Sequence, residues 1–68
     1  MQTGIVKRWN DAKGYGFITP EHGTAAEVFV HHRQIVGHGR KTLVEGQRVR
    51  FDLVKGLKGL EARHVEPV

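Results

Sequence analysis

Apolar and polar residues alternate along short stretches of this chain, and glycine-rich breaks separate the stretches. A side-chain period of two marks a strand with one buried face. No window sustains the apolar period of an amphipathic helix. The pattern predicts five strands: Gly4 to Asn10, Tyr15 to Thr19, Glu27 to His31, Gln47 to Val54 and Leu60 to Val65. Asp11-Ala12-Lys13-Gly14 forms a turn, with Asp and Gly supplying the turn chemistry, and Pro20 stops the second strand. A loop follows from Glu21 to Ala26. A long connection, Arg33 to Gly46, leaves room for one helical turn at Gln34 to Val36. Lys55 to Gly59 turns the chain into the last strand. Short strands with one long loop between the third and fourth fit an all-β fold, a five-stranded antiparallel Greek-key barrel of OB-like type. Closure removes the sheet edges that so short a chain would otherwise expose.

The same alternation assigns faces. Val6, Ile18, Val28, Val30, Val49, Phe51, Ala62 and Val65 fall on the side expected to form the core, and Leu53 shares the face of Val49 and Phe51. Tyr15, Phe17, Phe29 and His31 then fall outside, on two neighbouring strands. The inverse assignment buries the rings and exposes the valines, but small β-branched side chains fill a narrow barrel better than stacked rings do. Soluble monomers rarely carry an exposed patch of this kind without a use for it.

Size and charge narrow the use. Sixty-eight residues make a single domain, 1–68, with room for a small core and none for a deep substrate cavity. Eleven Lys and Arg stand against seven Asp and Glu, a formal charge of +4, which favours a polyanionic partner. No stretch is long and apolar enough to span a membrane, and Met1-Gln2-Thr3-Gly4 lacks the basic-then-apolar plan of a signal peptide. The expectation is a soluble cytoplasmic chain. A flat ring stacks on any base, and a cation beside it meets phosphate. Lys13 opens the second strand, and Lys7 shares the outward parity of the first. Gly14 and Gly16 flank Tyr15 and either leave the sheet open around its ring or serve a turn and a bulge. No basic helix is present to enter a major groove, so a single strand is the better fit than a duplex.

Lys13-Gly14-Tyr15-Gly16-Phe17-Ile18 resembles the first ribonucleoprotein motif of cold shock domains, and Val28-Phe29-Val30-His31 resembles the second. Gly4-Ile5-Val6-Lys7 with Asn10, Lys41-Thr42-Leu43 with Glu45-Gly46-Gln47, and Lys58-Gly59 agree with the flanks, so the resemblance covers nearly the whole chain. It implies a barrel that binds single-stranded RNA and DNA, often preferring pyrimidines. It also implies an RNA chaperone that melts weak structure and thereby affects transcription and translation. Lys7, Lys13, Tyr15, Phe17, Phe29 and His31 match the family's binding surface, and Lys58 lies in a matching flank. Elsewhere the chain departs from the family. Arg8 and then Trp9 stand where a tryptophan and another aromatic usually follow the first lysine. His32 stands where an aromatic usually follows the motif histidine, and Arg40 stands near the place where the family usually carries an aromatic in the long loop. Arginine planes and imidazoles also stack on bases. Strict alternation favours Trp9 as the first-strand contact; a bulge would expose Arg8 instead and tuck Trp9 toward the barrel edge, and the resemblance implies Arg8 as the direct contact, since it holds the family position residue for residue.

Other chemistries find little support. His31 and His32, adjacent on a strand, are expected to point to opposite faces and so not to share an ion; no cofactor or metal site is expected. The chain has no serine and no cysteine, and no threonine has a base at triad spacing, so no enzyme is expected. A barrel that grips a peptide on its rings is the alternative binding module, and a ribosome-associated factor of OB fold is another. A monomer is expected.

Overall fold

Seven large side chains are almost wholly closed off from solvent: Val6, Ile18, Val28, Val30, Val49, Phe51 and Val65. They come from five strands that wrap around them in the computed structural model, which describes residues 1–23, 27–37 and 41–68. The strands are β1 (Gln2–Asn10), β2 (Tyr15–Pro20), β3 (Val28–His31), β4 (Arg48–Gly56) and β5 (Gly59–Pro67), with one 3-10 turn over His32–Gln34. They close into a barrel in the order β1-β2-β3-β5-β4, and β4 returns to β1. Four ladders are antiparallel. The seam between β3 and β5 is parallel, with Phe29 beside Glu61. Every strand gives one face to the interior, so alternation along the chain becomes an inside and an outside.

All eight residues expected in the core are buried, and Ile35 and Leu43 join them from the long connection. Both lie outside the strands, where alternation carries no information. Ile35 bridges to Val65 in parallel fashion, and the Val36 N–H donates to the Val65 carbonyl at 2.8 Å. The helical turn lies at His32–Gln34, not at Gln34 to Val36, because Ile35 is already extended and engaged with Val65. Burying a valine or larger apolar side chain contributes roughly 1.5–3 kcal/mol. Trp9, Leu53 and Leu60, half-buried, pack against this core.

Strand ends run further than alternation alone foresees, because closure gives them partners. Gln2 pairs with Phe51 and Pro67 with Val49. Gly56 pairs with Gly59, so Leu57 and Lys58 alone make the turn. Exposed ion pairs link neighbouring segments: Lys7 with Glu27 at 2.9 Å beside the ring-bearing face and, off it, Arg48 with Glu21 at 3.0 Å and Arg50 with Glu66. Glu21 also accepts from Thr3. The Arg48 hydrogen bonds hold the Glu21 carboxyl below its ordinary pKa, with the Thr3 hydroxyl adding to the effect. Such exposed pairs add little stability individually.

Two irregularities shape the sheet. In β1 the register passes from Val6 opposite Ile18 to Arg8 opposite Phe17, so Lys7 is a bulged residue. In β5 it passes from Glu66 opposite Arg50 to Arg63 opposite Asp52, leaving one residue more than β4 has. His64 sits there at φ 52, in the left-handed region, with its Nδ1 3.1 Å from Asp52 Oδ2. Left-handed backbone costs a Cβ-bearing residue about 1–2 kcal/mol, and asparagine tolerates it better than histidine. The lost contact with Asp52 is exposed and worth little. His64→Asn is therefore expected to raise unfolding stability by up to about 1 kcal/mol, read from urea denaturation midpoints at unchanged slope. A loss of stability would show that the Asp52 contact outweighs the backbone strain.

Candidate nucleic-acid interface

On the outer face of β2 and β3, Tyr15 stands directly opposite His31 and Phe17 directly opposite Phe29. The four rings are half-buried. Tyr15 and Phe29 lie 5.7 Å apart between centroids and tilted; Phe17 and Phe29 lie 5.9 Å apart, edge to face. Both arrangements are favourable for ring quadrupoles. The patch is thus held in shape by its own packing, with ring faces left toward solvent. Beneath it Ile18, Val28 and Val30 fill the interior, so the rings are outside for the reason given by their sequence parity.

His32 corrects an expectation. Its ring does not point away from His31 but lies 4.4 Å from it, tilted by 35°. The strand ends at His31 and the chain turns into the 3-10 segment, so alternation no longer governs the next residue. The His32 N–H donates to the Gly14 carbonyl at 2.8 Å, and its ring covers Gly14, where a Cβ would come within 2.5 Å of Cδ2. Gly14 also has φ 74, so the position demands glycine twice over. His31 Nδ1 accepts from the Arg33 N–H at 3.3 Å, which orients the imidazole. Partial desolvation, then the nearby His32 and Arg33, pull the His31 pKa below the usual imidazole value.

The bulge at Lys7 decides between the two first-strand candidates on geometry. Directly paired residues of an antiparallel ladder share a face, so Arg8 lies on the face of Phe17 and is exposed. Trp9 pairs with Gly16, and a Cβ on Gly16 would lie 2.8 Å from its Cε3. Gly16 therefore makes room for Trp9 and the β1 backbone; it does not open the sheet around Tyr15. Trp9 packs partly on the core, yet it still lines a hollow of 420 Å³ with Arg8, Tyr15 and Phe17. Lys13 is positioned by Asn10, whose side chain accepts from the Lys13 N–H at 3.0 Å and whose carbonyl accepts from the Gly14 N–H at 2.8 Å.

Three further hollows follow the ring ridge. One of 390 Å³ is lined by Phe17, Phe29, Lys58, Leu60 and Glu61, and one of 310 Å³ by Phe29, His31, Arg33 and Glu61. One of 300 Å³ lies between Lys13, Gly14, His32 and Lys41. Arg8, Lys13 and Lys58 have no carboxylate partner at ion-pair distance among the described residues, whereas Lys7 is engaged by Glu27. Arg40 lies outside the described residues. Sequence reasoning missed Arg33, Leu60 and Glu61. Glu61 has outward parity beside buried Ala62, but only the parallel β3–β5 seam sets it against Phe29. Among the described residues no group of three or more His, Asp or Glu side chains is arranged to hold a metal ion, and no helix is long and apolar enough to cross a membrane.

A closed five-stranded barrel that presents stacked rings and unpaired cations on one face is of the nucleic-acid-binding class. Comparison with known proteins makes the class specific. The family model for the 'Cold-shock' DNA-binding domain matches residues 2–68. The chain is 57% identical over 67 residues to the major cold shock protein CspA of Pseudomonas aeruginosa, covering 98% of this chain and 94% of that one. It is 53% identical over 62 residues to the cold shock-like protein CspE of Escherichia coli, covering 91% and 88%. The solved structure of drosophila Unr CSD456 superposes with a TM-score of 0.78 at 18% identity, over 98% of this chain and 26% of that one, and shares the fold. The chain belongs to the cold shock domain family.

The geometry separates binding from folding. Phe17→Ala and Phe29→Ala are each expected to weaken binding of a single-stranded oligonucleotide by about 1–3 kcal/mol while the barrel survives. Val30→Ala should instead cost roughly 2 kcal/mol of stability and change affinity little in the folded fraction. Titration of each variant, with circular dichroism as the folding check, tests the pair; a Phe17→Ala chain that unfolds but binds normally when folded inverts the face.

Arg8 makes a separate expectation. Arg8→Ala should lower affinity and reduce the slope of log K against log salt by about 0.7, one phosphate contact on a single strand. Arg8→Trp should reduce the slope equally yet keep or raise affinity, because a larger ring replaces the charge. If Arg8→Ala binds normally while Trp9→Phe halves the binding energy, the contact belongs to Trp9.

Proposed function

We infer that this chain is a single-stranded nucleic-acid-binding protein, for RNA and DNA, which stacks bases on its ring face and melts weak RNA structure as a chaperone, with effects on transcription and translation. The observation that carries the reading is the ring quartet Tyr15, Phe17, Phe29 and His31 bordered by the unpaired cations Arg8, Lys13 and Lys58. Lys7, Trp9, His32 and Arg40 complete the proposed contact set, with Lys7 reaching a strand when it leaves Glu27. The four hollows along the ridge suit roughly four to six nucleotides, within the range of one small barrel.

Magnitudes explain why such a face melts weak structure and spares long duplexes. Each base stacked on a ring gains about 1–3 kcal/mol. Each base-pair step given up costs about 1.4 kcal/mol on average in a DNA duplex. Capturing a few bases therefore offsets the loss of a few steps and no more. Rings that stack without reading hydrogen bonds tolerate many sequences, and a preference for pyrimidine-rich strands fits the compact hollows. Unpaired cations on the same face favour a polyanion over a peptide. The chain is proposed to work as a single domain, 1–68, monomeric, in the cytoplasm, without catalysis or cofactor.

A single strand is expected to bind more tightly than the same sequence in a duplex. With about three to five phosphates contacted, the slope of log K against log salt should be roughly −2 to −3.5. Titration of oligo-dT, oligo-dA and a matched duplex, followed by Trp9 fluorescence over a range of salt, measures both. Equal affinity for strand and duplex at moderate salt would sink the reading, and a slope near zero would remove the cations from it.

A further inference from the structure

Two glutamates line hollows of the ring face, Glu45 beside Arg8 and Trp9 and Glu61 beside Phe29. Glu61 lies beside Phe29 across the parallel β3–β5 seam and lines both hollows that flank that ring. It is half-buried, and its side chain lies over Gly56 of β4, where an added Cβ would come within 1.9 Å of Oε2. Glycine at 56 therefore leaves the space that the carboxylate occupies. Glu21, Glu27, Glu66 and Asp52 are each engaged by a basic side chain. The Glu61 carboxylate has neither an ion pair nor a side-chain hydrogen bond among the described residues, although Lys58 lines the same hollow.

A negative group on a face that binds a polyanion is a cost unless it meets a donor. A carboxylate only accepts hydrogen bonds. A base stacked on Phe29 has room to turn its edge into either hollow that Glu61 borders. Cytosine carries an amino group at N4 that a carboxylate accepts from, while thymine and uracil carry a carbonyl oxygen at the same place. With the C4 substituent turned to Glu61, that oxygen would face the carboxylate lone pairs, and the N3–H of thymine or uracil would reach the carboxylate only after the base rotates in its stack. We propose that Glu61 sets the base preference at the Phe29 position, favouring cytosine over thymine or uracil. The proposal rests on the reading of the ring face as a single-strand site and adds to it a discriminating group.

The test compares oligo-dC with oligo-dT of equal length at neutral pH, by fluorescence anisotropy of labelled strands. The readout is the ratio of the two dissociation constants, since other positions contribute to the absolute values. Glu61→Gln keeps the shape and supplies an amide donor for the thymine oxygen. It is expected to shift the ratio toward oligo-dT by about fivefold to tenfold, and Glu61→Ala should shift it the same way. Glu66→Gln removes an equal charge off the ring face, where Glu66 pairs with Arg50, and should leave the ratio unchanged. If the Glu61 variants tighten both strands equally, Glu61 is only a repelling charge and its assignment is overturned while the ring face stands. If the unaltered chain binds neither strand, the reading of the face falls and this proposal falls with it.

Discussion

Ile18 of β2, Val28 and Val30 of β3, Val49 and Phe51 of β4 and Val65 of β5 meet in an interior from which solvent is excluded almost completely. The space is narrow, and one phenylalanine with a set of β-branched side chains fills it. Protein interiors are packed as densely as organic crystals, so no further ring enters without displacing what is there. Tyr15, Phe17, Phe29 and His31 are consequently held outside by the same alternation that places their neighbours inside. The ring-bearing face exists because the core is full, and the two are opposite sides of the same strands.

The face is also held before any ligand arrives. Its rings rest on one another at 5.7 and 5.9 Å, His31 is oriented by the Arg33 N–H, and His32 is seated over Gly14. Side chains already ordered lose little rotamer freedom on binding, and that saved entropy appears as affinity. Charge is divided in a matching way. Arg48 and Arg50 are engaged by glutamates and bind segments of the barrel together, while Arg8, Lys13 and Lys58 stand unpaired along the rings. Cations already in ion pairs would have to give up a partner to meet phosphate; the unpaired ones do not. Glu45 and Glu61 depart from this division, acceptors set among rings and cations.

Much of this was legible in the chain. Period-two alternation located five strands and all eight of the core residues read from it, because a sheet with one dry face imposes that period directly. The ring quartet followed from parity, and the two motifs with their flanks pointed to the cold shock domain family, to which the chain belongs. What alternation missed lies where the backbone leaves the period. Ile35 and Leu43 are buried from outside the strands, and His32 joins His31 because the strand has ended.

Amino-acid order by itself thus determined the number of strands, the residues inside them and the chemistry of the rings and cations beside them. Tertiary structure decided the rest through contacts distant in sequence. The extra residue at Lys7 reverses which of Arg8 and Trp9 shares the face of Phe17, and it is visible only in the pairing of β1 with β2. Gly16 is spent on Trp9 for the same reason. Glu61 reaches Phe29 only through the parallel seam between β3 and β5, segments that barrel closure brings together. Local period reports which side of a strand a residue occupies; it is blind to which strand lies next to it, and a binding face is made of neighbours.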